Sequence, residues 1–77
     1  MGQFALSVVG RDRPGIVAEV SRVLFERGCN IEDSTCTILS GQFAMILVIS
    51  HPRFTSAAEI DPFFDPARKT MGLTVSL

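Results

Sequence analysis

The run Phe43 to Ile49 (FAMILVI) limits the possible folds of this chain most strongly, because it is apolar at every position. A strand with one solvated face alternates apolar and polar residues, whereas a strand that is apolar on both alternating sets belongs inside a sheet. Phe4 to Val9 (FALSVV) is almost as apolar and is predicted to be a strand covered on both faces for much of its length. His51-Pro52 ends the longer run.

A helical pattern begins at Pro14, because the fixed φ of proline suits the first position of a helix. Apolar residues recur at helical spacing on one side, and Glu19, Arg22 and Glu26 form pairs on the opposite side. Gly28 supplies a left-handed cap, so the sequence predicts a helix from Pro14 to Arg27. The apolar stripe consists of Ile16, Val17, Val20, Val23 and Leu24.

The segment Asn30 to Leu39 (NIEDSTCTIL) is half polar and rich in β-branched residues, which is typical of an edge strand. Ser40-Gly41 is predicted to turn the chain into the apolar run. A second helix follows, and it is predicted to be broken or to start late because Asp61-Pro62 and Asp65-Pro66 each read as an N-cap followed by a first helical residue. This helix is expected to end at Gly72, and Leu73 to Leu77 (LTVSL) to form a short final strand.

The predicted order is strand, helix, strand, strand, helix, strand, which is the ferredoxin-like βαββαβ pattern of an α+β fold. In this fold a four-stranded antiparallel sheet carries both helices on one face, and the first and third strands are central. The length of 77 residues fits a single domain. Since both central strands are apolar on both sides, we expect the uncovered face of the sheet to meet a second domain, from another copy or from a longer chain.

Composition narrows the class of protein. Seven Lys plus Arg against eight Asp plus Glu, with no basic run, argue against direct binding of nucleic acid. No apolar run reaches the roughly 18 residues that a membrane span needs, and no signal peptide pattern is present, so a cytoplasmic protein is expected. Cys29 and Cys36 lack the spacing of a metal site and are predicted to be reduced, buried thiols.

The stretch GRDRPGIV, Gly10 to Val17, joins the first strand to the first helix. A structural role explains much of it, because Pro14 presets a helical φ and Asp12 is placed to cap the first N–H groups. The same helix start also presents the N–H groups of Gly15, Ile16 and Val17 to an anion. Asp12 would repel a phosphate dianion but suits a zwitterion, whose ammonium group it can bind.

Asn30 follows the glycine that ends the first helix, and its amide can both donate and accept hydrogen bonds. It is therefore a second candidate for binding an amino acid, although asparagine in this position is also a common turn residue. The sequence leaves open whether Asn30 meets the loop of its own chain or that of a neighbour.

The segment VVGRDRPGIVAEVSRVLFERGCNIEDS resembles the start of an ACT domain of the glycine cleavage system transcriptional repressor type. The D-x-P-G turn, the G-x-N-I motif whose Asn30 lies fifteen residues after Gly15, and the βαββαβ order carry the resemblance. It implies a regulatory domain that pairs with a second ACT domain, homodimer or larger, binds an amino acid between the two, and signals to a partner such as a transcription factor or an enzyme. Repressors of this type carry two ACT domains, whereas this chain holds one. The resemblance implies binding roles for Asp12, Arg13, Pro14, Gly15, Ile16, Val17, Asn30 and Ile31.

Two other functions remain open from the sequence. One is a dimerisation module without a ligand, in which the loop is only a helix start. The other is an acylphosphatase-like enzyme, which shares the fold class, but Asp12 repels its substrate and Pro14 removes a backbone donor. No catalytic residue, metal site or cofactor is expected, because His51 is predicted to lie at the surface and Cys36 to be an ordinary core thiol.

Overall fold

The computed structural model describes residues 2–77 and confirms the ferredoxin-like fold. The elements are β1 (Gly2–Arg11), α1 (Ile16–Glu26), β2 (Asn30–Leu39), β3 (Gln42–His51), α2 (Ala57–Ile60), a 3₁₀ helix (Asp61–Phe64), α3 (Asp65–Met71) and β4 (Thr74–Ser76). The bounds of β2 agree with the prediction, whereas β1 and β3 are longer than the apolar runs that predicted them, and α1 begins two residues after Pro14.

The four strands form one antiparallel sheet in the order β2-β3-β1-β4. β1 and β3 are central, as predicted, and pair along their whole length from Gly2 opposite His51 to Arg11 opposite Gln42. The turn between β2 and β3 is formed by Ser40 and Gly41, with φ of 50° and 77°. Positive φ at both positions is the conformation that connects two twisted strands most directly.

The core lies between the helices and one face of the sheet. Leu6 pairs with Leu47, and both are fully buried beneath the helices. Each such side chain contributes about 1.5–3 kcal/mol through removal from water. Val17 was predicted to join the core but is 46% exposed, because it lies beside the helical stripe instead of within it. The other buried apolar residues of the two central strands and α1 are Val8, Phe43, Met45, Ile49, Ile16, Val20, Val23 and Leu24.

The second helical segment is broken into α2, the 3₁₀ helix and α3, as the two prolines predicted. The prediction that Asp61 and Asp65 are N-caps is wrong, since neither side chain bonds a helix N–H and the capping positions are Ile60 and Phe64. Both carboxylates bind Arg68 instead, with Asp61 Oδ1 2.6 Å from Nη2 and Asp65 Oδ1 2.9 Å from Nη1. Arg68 Nη2 also donates to the carbonyl of Val75 at 2.7 Å, so this side chain joins the broken helix to β4.

β2 differs from the other strands because all ten of its residues are exposed. The prediction that Cys36 is a core thiol is therefore wrong, while Cys29, just before β2, is buried as predicted. Cys36 pairs with buried Met45 and shares its face of the sheet, but the helices do not extend over this edge. Burial raises the pKa of the Cys29 thiol.

The face of the sheet opposite the helices, here called the outer face, carries Val9 at 44% and Ile46 at 55% exposure. Ala5 is also exposed on this face, while Ser7, Ala44 and Val48 are half-buried. The apolar outer face predicted from the two central strands is thus present.

The prediction that His51 lies at the surface is wrong, since only 2% of it is exposed. The segment after β3 folds back so that the ring of Phe54 stacks on the imidazole, with 4.4 Å between ring centroids. Sequence position at a strand end suggested exposure, but the chain after Pro52 covers the residue.

Candidate functional site

The loop between β1 and α1 is anchored to the turn between β2 and β3. The N–H of Asp12 donates to the carbonyl of Gly41 at 2.8 Å. Pro14 and Gly15 then form a turn in which Gly15 has φ of 91°, a conformation that a side chain disfavours. An added Cβ on Gly15 would meet only Met71 Cε at 3.8 Å, so backbone conformation and not lack of space requires glycine here.

The start of α1 is arranged differently from the prediction. Gly15 is the N-cap residue and no side chain caps the helix, so the prediction that Asp12 caps it is wrong. Asp12 stands three positions before the cap, because Pro14 and Gly15 are used in the turn. The first helical bond runs from the N–H of Glu19 to the carbonyl of Gly15 at 2.9 Å.

The helix start is therefore a candidate for holding a carboxylate. The N–H groups that precede the first helical bond belong to Ile16, Val17 and Ala18, at the positive end of the helix dipole. Arg11, Asp12 and Arg13 are all exposed beside them. Within residues 2–77 no ion pair involves any of these three charged side chains, which leaves them accessible to a ligand.

An open groove of about 430 Å³ lies beside this loop, between the first turns of α1 and the end of α3. Arg22 in its wall binds Glu19 at 2.8 Å and also binds Glu26, which confirms both predicted pairs. The hydrogen bonds from Arg22 lower the pKa of Glu19, so both groups are charged at neutral pH. The lining residues are Arg13, Gly15, Ala18, Glu19, Arg22, Thr70 and Met71. Thr70 and Met71 were not predicted as site residues, because only the tertiary fold brings α3 beside the loop.

Asn30 and Ile31 begin β2, at the opposite end of the sheet from the loop. Asn30 pairs with Ser50 near the end of β3, whereas the loop residue Arg11 pairs with Gln42 at the start of β3. Eight residue steps along β3 separate Gln42 from Ser50, which at about 3.4 Å per residue is about 27 Å. Asn30 therefore does not meet the loop of its own chain.

Polar groups surround Asn30 that the sequence did not single out. Ser50 is 1% exposed, and its hydroxyl donates to Glu32 Oε1 at 2.6 Å. The register of β2 shifts between Ile31 and Asp33, so Glu32 sits at an irregularity of the strand. No pattern in the sequence predicts this irregularity, because the residues around it are ordinary for an edge strand.

Two further features concern other kinds of site. Among the described residues, no three His, Cys, Asp or Glu side chains converge as metal ligands. None of the helices between residues 2 and 77 is both long and apolar enough to cross a membrane.

Known proteins resemble this chain along nearly its whole length. The family model of the ACT domain matches residues 3–77. A UPF0237 protein of Streptococcus mutans is 36% identical over 72 residues, which make up 94% of this chain and 82% of that protein. The structure of an ACT domain protein from Streptococcus pneumoniae superposes with a TM-score of 0.84 at 31% identity, over 96% of this chain and 84% of that one.

The likeness to the repressor type is confirmed as well. The glycine cleavage system transcriptional repressor of Escherichia coli is 42% identical over 47 residues, which are 61% of this chain and only 25% of the repressor. The family match over residues 3–77, together with the fold, identifies the chain as a member of the ACT domain family of regulatory domains.

Proposed function

We propose that residues 1–77 act as a single regulatory ACT domain that binds an amino acid at the interface of two paired domains. The observation that carries the proposal is the separation of the two candidate half-sites, the helix start after β1 and the start of β2, by about 27 Å. Each half-site alone is open to solvent. A second copy that supplies the missing half completes the site.

Antiparallel pairing of two β2 strands would bring the half-sites together. In a two-fold arrangement Asn30 of one copy comes beside Leu39 of the other, next to the turn to which Asp12 is bonded through Gly41. The carboxylate of the ligand would then bind the N–H groups of Ile16 and Val17, near Arg13, with Pro14 and Gly15 shaping the turn. Asp12 and Asn30 would bind its ammonium group, and Ile31 would flank it.

The exposed, unpaired edge of β2 supports this pairing. The strand is an unpaired edge, and residues 34–39 (STCTIL) contain no charge and no proline. Edge strands of stable monomers are normally protected by charged residues, by proline or by a covering element. Ile38 is 57% and Leu39 67% exposed, so pairing would also bury apolar surface.

The outer face is a second surface, and we assign it to a further domain or to the regulated protein. Val9 and Ile46 on this face would remain exposed after pairing through β2. The similarity to the Escherichia coli repressor supports a transcriptional regulator of amino-acid metabolism as the regulated partner, and an enzyme is the other candidate. The free thiols of Cys29 and Cys36 fit a reducing compartment such as the cytoplasm.

The expected affinity is moderate. Glycine has five heavy atoms, and at a ceiling of about 1.5 kcal/mol per atom it gains at most about 7.5 kcal/mol on binding. Dissociation constants in the micromolar range or weaker follow. Such affinity suits a sensor of metabolite pools, because a ligand held between two domains stabilises only their paired state.

Titration calorimetry with the twenty amino acids tests the proposal. We expect at least one to bind the wild type, and Asn30→Ala to weaken that binding at least tenfold. Gln3→Ala is the matched control, since Gln3 is an exposed amide at the same end of the sheet. Binding that Asn30→Ala leaves unchanged would move the site elsewhere.

The second candidate function is a dimerisation module without a ligand, which the fully exposed β2 favours by itself. The same titration separates the two functions. Dimerisation without binding of any of the twenty amino acids would support the module and contradict sensing.

A further inference from the structure

The irregularity in β2 changes which of its side chains share a face of the sheet. Ile31 and Ile38 are seven residues apart, and in a regular strand this odd spacing puts two side chains on opposite faces. Ile31 pairs with Ile49, which is buried beneath the helices. Ile38 pairs with Phe43, which is buried on the same face. Because Glu32 is an extra residue in β2, Ile31 and Ile38 both lie on the helix side of the sheet.

The helix side of β2 is an uncharged strip that no helix covers. Ile31 is 45% and Ile38 57% exposed, although their partners in β3 are buried. The positions between them on the same side are Ser34 and Cys36, which are exposed as well. This side of the strand therefore offers aliphatic surface to another molecule.

Val17 extends the strip at the end that holds the helix start. α1 follows the end of β1, which pairs with Gln42, and Ile38 lies at this same end of β2. Glu19 lines the groove beside α3, and Val17 is rotated from it by about 200° around the helix. Val17 is 46% exposed, so it projects from the flank of α1 that faces the β2 edge. Helical side chains lean towards the N-terminus, which places Val17 beside the N–H groups of the helix start.

Pairing of two β2 strands joins these surfaces. Residues directly opposite each other in an antiparallel pair have side chains on the same face. With the two-fold axis at Thr35, the extra residue in each strand sets Ile31 opposite Ile38 of the other copy. Asn30 then lies beside Leu39, as in the pairing of the proposed function. Without the irregularity, Ile31 would point to the outer face and away from this contact.

We propose that the site selects amino acids with an aliphatic side chain, namely valine, leucine and isoleucine. This substrate class rests on the proposed function, in which the helix start, Asp12 and Asn30 bind the carboxylate and ammonium groups. The side chain of the ligand then meets Val17 and Ile38 of one copy and Ile31 of the other. We call these three residues the aliphatic pocket.

The surroundings of the aliphatic pocket exclude other side chains. Glu32 Oε1 accepts the hydroxyl of Ser50 at 2.6 Å, and Asp33 lies on the outer face, opposite Val48. A charged side chain in the pocket would therefore lose water without gaining a partner, which is unfavourable. Glycine would leave the pocket empty, and each methylene that a larger ligand buries is worth roughly fourfold in affinity.

Titration calorimetry of the full chain with leucine, isoleucine, valine, glycine and aspartate tests the substrate class. We expect the three aliphatic amino acids to bind at least about tenfold tighter than glycine, and aspartate to bind no tighter than glycine. Ile38→Ala should reduce the ratio of leucine to glycine affinity at least about fivefold. The ratio separates selection from pairing, because both ligands need the paired state.

Ile46→Ala is the matched control, since Ile46 is an isoleucine with 55% exposure that lies on the outer face. It should leave the affinity ratio unchanged. Glycine bound as tightly as the aliphatic amino acids would overturn the substrate class and leave the proposed function standing. A preference that survives in both Ile31→Ala and Ile38→Ala would also overturn it. Binding of none of the twenty amino acids would contradict the proposed function itself, and the substrate class with it.

Discussion

β2 and β3 are neighbouring strands of ten residues each that pair along their length, yet they differ completely in burial. β3 alternates between buried positions and exposed or half-buried ones, and it ends in buried Ser50 and His51. β2 is exposed at every residue. Backbone pairing is thus sufficient to place a strand in this sheet, while burial decides which strand the fold depends on. The surface of β2 is available for another molecule because the core does not use it.

The largest expected effect is on folding, in β3. Leu47→Ala removes a fully buried side chain and should lower the free energy of unfolding by about 2–5 kcal/mol. Ile38→Ala in β2 removes a similar volume from a position that is 57% exposed, and should cost less than about 1 kcal/mol. Urea denaturation at a concentration at which the chain is monomeric measures both. Equal costs would contradict the distinction between the strands.

The next largest effect on stability is expected from Arg68, which joins the second helical segment to β4. Arg68→Ala leaves the carbonyl of Val75 without this donor and separates two carboxylates from their cation, which should cost about 1–2 kcal/mol. Lys69→Ala, the exposed neighbour, is the matched control and should change stability by less than about 0.5 kcal/mol. A loss no larger than that of the control would show that Arg68 is not needed to hold β4.

The edge of β2 should control association more than stability. Thr37→Lys places a charge on the unprotected edge and should weaken self-association at least tenfold in sedimentation experiments. Thr74→Lys places the same charge on β4 at the opposite edge of the sheet and should leave association unchanged. The reverse pattern would assign pairing to β4, and equal behaviour would favour the outer face.

The two cysteines differ in burial, so their rates of reaction with a thiol reagent compare a buried position with an exposed one. Cys36 is exposed on β2, whereas Cys29 is buried and its pKa is raised by burial. A thiol reagent at pH 8 should therefore modify Cys36 at least about tenfold faster than Cys29. Mass spectrometry of the labelled peptides measures the two rates, and faster labelling of Cys29 would contradict the burial pattern.

The smallest expected effect concerns the surface of α1. Arg22 lowers the pKa of Glu19, so this pair stabilises the fold above the usual glutamate pKa of about 4.3 and loses its effect as the pH falls through the lower folded value. Wild type and Glu19→Gln should therefore differ slightly in stability at pH 7 and converge near pH 3. A difference that grows with acidity would have the wrong sign.

The contrast in burial between β2 and β3 also explains which features could be predicted from the sequence. Phe43 to Ile49 and the stripe on α1 predicted the sheet order and the core, because period and composition respond to burial by neighbouring elements. The predictions for Cys36, His51 and Asp12 were wrong because the surroundings of each residue depend on where other parts of the chain run. The helices stop short of β2, the segment after Pro52 covers His51, and the turn at Pro14-Gly15 places the N-cap of α1 three residues beyond Asp12. The distance between Asn30 and the loop likewise required the strand register.

If one copy supplies the helix start of each site and the other supplies Asn30, mixing two defective variants should restore binding. Arg13→Glu and Asn30→Ala alone should each weaken amino-acid binding at least tenfold, below what calorimetry detects at the wild-type working concentration. Random pairing of the two makes about half of the dimers mixed, each with one intact site, so about a quarter of the total sites should bind in calorimetry. We expect recovery of this fraction. No recovery, in a mixture shown by mass spectrometry to contain mixed dimers, would contradict it.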